Sequence, residues 1–190
     1  MSKSLLFAAI FLMSKIVGAQ NPLTIPQSLT ETIFNLDVQA GMTQFYPGIN
    51  MVTYGVNGPL PCPALIVNKW DWITINVTNK LPGTGNTTTM HWHGMHVSAM
   101  AGGGPHQIIN QGATWSPDFQ ILNQASTLWY HPHGHNKTDK QVSKGIAGMF
   151  IVKDSIEAAL ALPRTCGADD FPVIVQTKAF DVLNQIAIAT

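Results

Sequence analysis

The chain has 190 residues, 45% of them hydrophobic and 11% charged, and its formal net charge is zero. That length and composition suit one domain, or one domain with part of another. There is no Lys/Arg cluster to release counterions from a phosphate backbone, so nucleic acid is excluded as a partner.

Residues 1–19 read as an export signal. Lys3 gives a short positive start, and "LLFAAIFLM" (5–13) is an apolar run too short to span a bilayer. "VGAQ" (17–20) supplies small residues for cleavage after Ala19, so the mature chain is expected to begin at Gln20. The protein is then secreted or periplasmic, with no membrane span once the signal is removed. Export implies an oxidising compartment, in which Cys62 and Cys166 either form one bridge or remain two free thiols.

The mature chain reads as strands. "FNLDV" (34–38) alternates apolar and polar residues, and "ITINVT" (73–78) sets Ile73, Ile75 and Val77 on one face. "MVTY" (51–54) and "ALIV" (64–67) are short β-favouring runs on either side of a turn-rich stretch that contains Asn57-Gly58. "TLWYH" (127–131) and "AGMFIV" (147–152) add two more. Short strands at this spacing, punctuated by 16 Gly and 12 Pro, predict an all-β sandwich. Helix signals are few. "TDKQVSKG" (138–145) predicts a turn or two, and "SIEAALAL" (155–162) predicts a helix capped by Ser155 and stopped by Pro163. Beyond Val152 comes a linker, and then a new apolar run, "FPVIVQTKAF" (171–180), expected to open another domain that Thr190 cuts short of a core.

All seven histidines fall between His91 and His135, in "HWHGMH" (91–96), at His106, and in "WYHPHGH" (129–135). Residues i and i+2 of a strand point to one face, so His91 and His93 project side by side. His131 and His133 do the same if their segment is extended, and Pro132 keeps His131 out of the helical region. Neutral imidazole suits copper, zinc, iron or nickel. One His-x-His pair is often only a surface strand. Two pairs within one quarter of the chain point to a metal site.

The surroundings of these pairs carry a resemblance. "TTMHWHGMHV", "GGPHQIINQGATWSPDFQI" and "ASTLWYHPHGHNKTDKQVSKGIAGMFIVKD" resemble the N-terminal domain of the multicopper oxidases, the family of laccases and copper-efflux oxidases. The likeness runs from about residue 32 to 181 and includes "GPLPCPALIVNKWDWITINVTNKL" and "LPRTCGADDFPVIVQTKAF". It implies a cupredoxin-like Greek-key β-sandwich over 28–153, a linker over 154–171 and the start of a second cupredoxin domain over 172–190. It further implies the copper of a trinuclear cluster. By motif matching His91 would bind type 2 copper, and His93, His131 and His133 would bind type 3 copper. The remaining ligands would come from a C-terminal cupredoxin domain or another subunit. In the complete enzyme O2 is reduced to water with electrons from a small reducing substrate, which the sequence does not identify.

His96, His106 and His135 are expected to orient or hydrogen-bond rather than ligate. Trp92, Trp129 and Tyr130 are expected to pack around the cluster, and the dispersed methionines to fill core. Two departures from the family pattern stand out. Gly102 occupies the place of the acid in the usual Asp-Gly-Gly-Pro, and glycine can neither orient a water nor deliver a proton. No His-Cys-His segment for a type 1 copper is present. The sequence therefore supports three readings: the N-terminal part of an exported multicopper oxidase, a non-catalytic exported copper-binding module, or a zinc or other metal protein on a similar sandwich. "NVT" (76–78), "NTT" (86–88) and "NKT" (136–138) fit the glycan acceptor pattern of a eukaryotic secretory route.

Overall fold

The computed structural model describes residues 22–188. The expected signal, residues 1–19, and the expected mature terminus at Gln20 lie outside the described residues. In chain order the elements are β1 (Ser28–Leu29), β2 (Ile33–Tyr46), β3 (Ile49–Val56), β4 (Ala64–Asn68) and β5 (Trp72–Lys80), then β6 (His91–His93), β7 (Thr114–Trp115), β8 (Asp118–Gln120) and β9 (Ser126–His131). After these come helix α1 (Thr138–Lys144), β10 (Gly148–Lys153), a single turn α2 (Ser155–Ala158), β11 (Ala179–Phe180) and β12 (Ile186–Ala187). Among the described residues no helix is long and apolar enough to cross a membrane.

The strands form two five-stranded sheets, and β11 and β12 pair in a separate two-stranded one. One five-stranded sheet runs β1-β4-β10-β9-β6; the other runs β3-β2-β5-β7, with β8 also paired to β5. β2 lies parallel to β5, and β4 parallel to both β1 and β10, so the chain crosses between sheets to make these pairs. The sequence explains the sandwich most directly in β5. Its alternation sends Ile73, Ile75 and Val77 inward, fully buried, while Thr74 and Asn76 stay partly accessible. Phe34, Leu36 and Val38 of β2 meet them from the same sheet, and Leu65, Val67, Phe150 and Val152 from the opposite one. Each such side chain contributes roughly 1.5–3 kcal/mol by leaving water. The polar member of the series, Asn79, is also buried and fully bonded. Its Nδ2 donates to the Asn86 and Ile109 carbonyls, and its Oδ1 accepts from the Leu81 amide.

Several elements differ from the sequence expectation. β2 extends to Tyr46, well beyond residue 38, because its outer half pairs with β3 although none of its residues there is buried. α2 spans only Ser155–Ala158, and its cap is Asp154, whose carboxylate accepts from the Ile156 and Glu157 amides. Leu160 and Leu162 are exposed, so no buried face draws the helix on to Pro163. Within 171–180 only Ala179–Phe180 is strand, and Phe171, Val173 and Val175 are exposed. The cysteines do not pair: Cys62 is buried, with its thiol donating to the Gly145 carbonyl, and Cys166 is exposed.

Candidate metal centre

The histidines gather at the β6 edge of the first sheet. β6 pairs antiparallel with β9 so that His91 faces His131, Trp92 faces Tyr130, and His93 faces Trp129. Alternation then separates two jobs. Trp92 and Tyr130 point inward and are fully buried core, anchored by Trp92 Nε1 donating to the Ala101 carbonyl and Tyr130 Oη donating to the Pro63 carbonyl. Gly148, opposite Tyr130, leaves the ring its room: a Cβ there would lie 2.3 Å from the phenol. His91, His93, Trp129 and His131 point the other way.

The ligand-capable nitrogens of His91, His93 and His131 all lie within 4.8 Å of one another, and no carboxylate or thiol joins the group among the described residues. His133 lies beside His131 as expected, their ring centroids 5.9 Å apart, but not on a continuing strand. β9 ends at His131, so His133 sits in the following loop rather than two residues along a strand. Its backbone amide donates to Thr89 Oγ1 at 2.6 Å, and its ring centroid lies 5.2 Å from that of His91. The structure thus brings together all four expected residues, three tightly and the fourth at the rim. His96, His106 and His135 are exposed and outside the group; His96 meets Asn123 only through its backbone amide.

Backbone carbonyls set two of the imidazole tautomers. His91 Nδ1 lies 2.6 Å from the Gly102 carbonyl, and His131 Nδ1 lies 2.8 Å from the Pro132 carbonyl. A carbonyl only accepts, so each Nδ1 carries the proton and each Nε2 keeps its lone pair. The loop after β6 supplies the first of these carbonyls. Gly103 adopts φ +69°, and a Cβ there would sit 1.6 Å from the Met90 carbonyl oxygen, so only glycine lets the loop return this closely to β6. Burial holds the His131 pKa down at about 4, against a smaller opposing effect of the Pro132 carbonyl and with help from the neighbouring imidazoles. Burial also lowers that of His91, partly offset by the Gly102 carbonyl. Both rings are therefore neutral, hence competent ligands, at neutral pH.

The separation of donors fits a metal ion. His93 Nδ1 and His131 Nε2 are 3.2 Å apart. Two nitrogens about 2.0 Å from one ion at a tetrahedral angle would lie about 3.3 Å apart. An all-imidazole set suits copper and zinc alike. Sequence reasoning anticipated Trp129 as packing here and missed the Gly102 carbonyl and Thr89 as parts of this arrangement. Only the threonine run before "MHWH" offered a signal for either of them.

Comparison with known proteins agrees with the geometry. A family model described as multicopper oxidase matches residues 37–157. The chain is 37% identical over 147 residues to the multicopper oxidase mco of Staphylococcus aureus, covering 77% of this chain and 32% of that protein. It is 34% identical over 177 residues to the cell division protein FtsP of Escherichia coli, covering 91% of this chain and 37% of FtsP. The crystal structure of a multi-copper oxidase from Pediococcus acidilactici superposes with a TM-score of 0.83 at 32% identity, over 92% of this chain and 38% of that one. The chain thus spans about a third of the length of the curated relatives it matches. The sandwich is of the cupredoxin type.

Proposed function

From the fact that the chain belongs to the multicopper oxidase family, we propose that it is the copper-binding N-terminal part of such an oxidase and supplies half of the ligands of a trinuclear copper cluster. The observation that carries this reading is the convergence of His91, His93 and His131, with the Nε2 lone pairs of His91 and His131 left free by their carbonyl contacts. In the proposal His91 holds type 2 copper, while His93, His131 and His133 hold type 3 copper. When bound, copper in such a cluster carries electrons to O2. The protein's own part is to keep Nε2 of His91 and His131 unprotonated through the Gly102 and Pro132 carbonyls, to fix ring orientation, and to back the site with the dry core of Trp92 and Tyr130. Residues 28–153 would be the first cupredoxin domain, 154–171 a linker and 172–190 the start of a second. A C-terminal cupredoxin domain or another subunit would bring the other ligands and the small reducing substrate. The N-terminal pattern supports export as a secreted or periplasmic protein.

Metal analysis with electron paramagnetic resonance tests the reading. Copper loading should give a signal with nitrogen hyperfine structure that His91→Ala and His131→Ala weaken. Preference for zinc, or no metal uptake by folded protein, would sink it. A second reading, a non-catalytic exported copper-binding module, is favoured by the similarity to a protein named for cell division. Oxygen uptake by the assembled protein separates the two.

A further inference from the structure

A ligating histidine normally has its second ring nitrogen held by a hydrogen bond. His91 has the Gly102 carbonyl and His131 the Pro132 carbonyl. Among the described residues the ring of His93 bonds only to His131, its neighbour in the proposed site. Something else must fix its plane, and the nearest flat group is Trp129. Strand pairing sets Trp129 opposite His93, and alternation puts it on the same face as His131. Its indole stacks on His131 with centroids 3.9 Å apart and 23° between planes. It lies 5.2 Å from the His93 ring at 30°. The indole is 40% exposed, so it is not simply core: one face covers two imidazoles and the rest meets solvent.

We propose that Trp129 is the positioning residue for His93 and His131, a planar backstop that holds the two facing nitrogens at ligand spacing. The inference rests on the metal-site reading above. Loss of the indole would free the His93 ring to rotate about its side-chain torsions, with no hydrogen bond from outside the proposed site to stop it. A flat aromatic replacement would retain much of the effect, and a small aliphatic one would not.

The test uses the full chain with Cu(II) alone, titrated in competition with a chelator of known affinity. Trp129→Val should weaken binding on the order of tenfold, the cost typical of removing a group that orients a ligand, and should change the nitrogen hyperfine pattern. Trp129→Phe should recover most of both. Trp72→Val, which removes an exposed tryptophan from β5 away from the histidines, should leave both unchanged. Unaltered affinity and spectrum in Trp129→Val would overturn the proposal. Failure of folded wild-type protein to bind Cu(II) would instead overturn the metal reading, and this inference with it. Wild-type nuclear Overhauser contacts between the Trp129 indole and the His93 ring are a second readout, independent of whether any variant folds; their absence would also overturn the proposal.

Discussion

His91 and His131 face each other from paired strands, and each spends one nitrogen on a carbonyl and keeps the other for a metal. His91→Ala and His131→Ala should therefore each strip most of the bound copper, whereas His135→Ala, at an exposed turn outside the group, should change it little. Equal loss in all three, measured by metal analysis, would refute that ranking. The metal-free protein carries a further signature. His131 has its folded pKa lowered to about 4 by burial, while in an unfolded chain it is about 6.5. Between those values the unfolded state binds more protons than the folded one, so stability rises with pH across the window. It is complete above the unfolded value and is lost as pH falls towards the folded one; His91, shifted in the same direction, adds to it. The urea midpoint of metal-free protein should be lower at pH 5 than at pH 7, and His131→Gln should flatten the difference. At this scale spacing disclosed the His-x-His pairs, and the family resemblance singled out which imidazoles gather. Neither disclosed the tautomers, which depend on where the Gly102 and Pro132 carbonyls come to lie.

The loop between β6 and β7 connects those side chains to the fold. Two of its glycines, the adjacent Gly102 and Gly103, have different constraints. A Cβ on Gly102 would meet nothing closer than the Ser98 carbonyl at 3.5 Å, while one on Gly103 would collide with the Met90 carbonyl. Gly103→Ala should therefore lower folding stability by at least about 1–3 kcal/mol, the cost of the backbone conformation before any clash. It should also displace the Gly102 carbonyl from His91. Gly102→Asp should fold normally, as thermal melts of the two variants would show. If the assembled enzyme reduces oxygen, Gly102→Asp should speed reoxidation in stopped-flow by restoring an acid, an effect of up to roughly 10²–10⁴-fold. No change would mean another group moves the proton. The strands with clean alternation, such as β5, were legible from sequence because burial on one face writes the pattern directly. The outer half of β2 was not, since it pairs with β3 without a buried face of its own. The run 155–162 misled because helix propensity without a packing surface stabilises only the turn that Asp154 caps. His133 stands beside His131, as expected of an extended segment, although the strand itself ends at His131. Thr89 catches its amide, and Gln141 of α1 secures the adjacent segment through Thr88 Oγ1 and the Thr87 carbonyl.

At the scale of the whole molecule, the sheet edge that bears the histidines is also the one with the half-exposed Trp129 and the exposed His93 and His133. An oxidase needs an electron entry site and a complete oxygen site. Residues 20–190 alone offer four imidazoles on one edge, and neither cysteine is set for type 1 copper: among the described residues neither joins a group of metal-ligating side chains, and Cys62 is buried against the Gly145 carbonyl, where burial pushes its thiol up to about 11. Water would have to complete any coordination, so copper should bind more weakly than in a closed four-ligand site. The same edge presents aromatic area of the kind that partners cover. Copper-loaded chain should therefore lack the intense blue absorption of a type 1 centre. In an oxygen electrode it should show no sustained oxygen consumption with phenolic or metal-ion donors. A blue colour, or steady turnover that disappears in His91→Ala and His131→Ala, would overturn this expectation. Since one copy holds only one histidine edge, such turnover would have to come from two copies closing their edges on each other, and it should then rise with the square of protein concentration at high dilution.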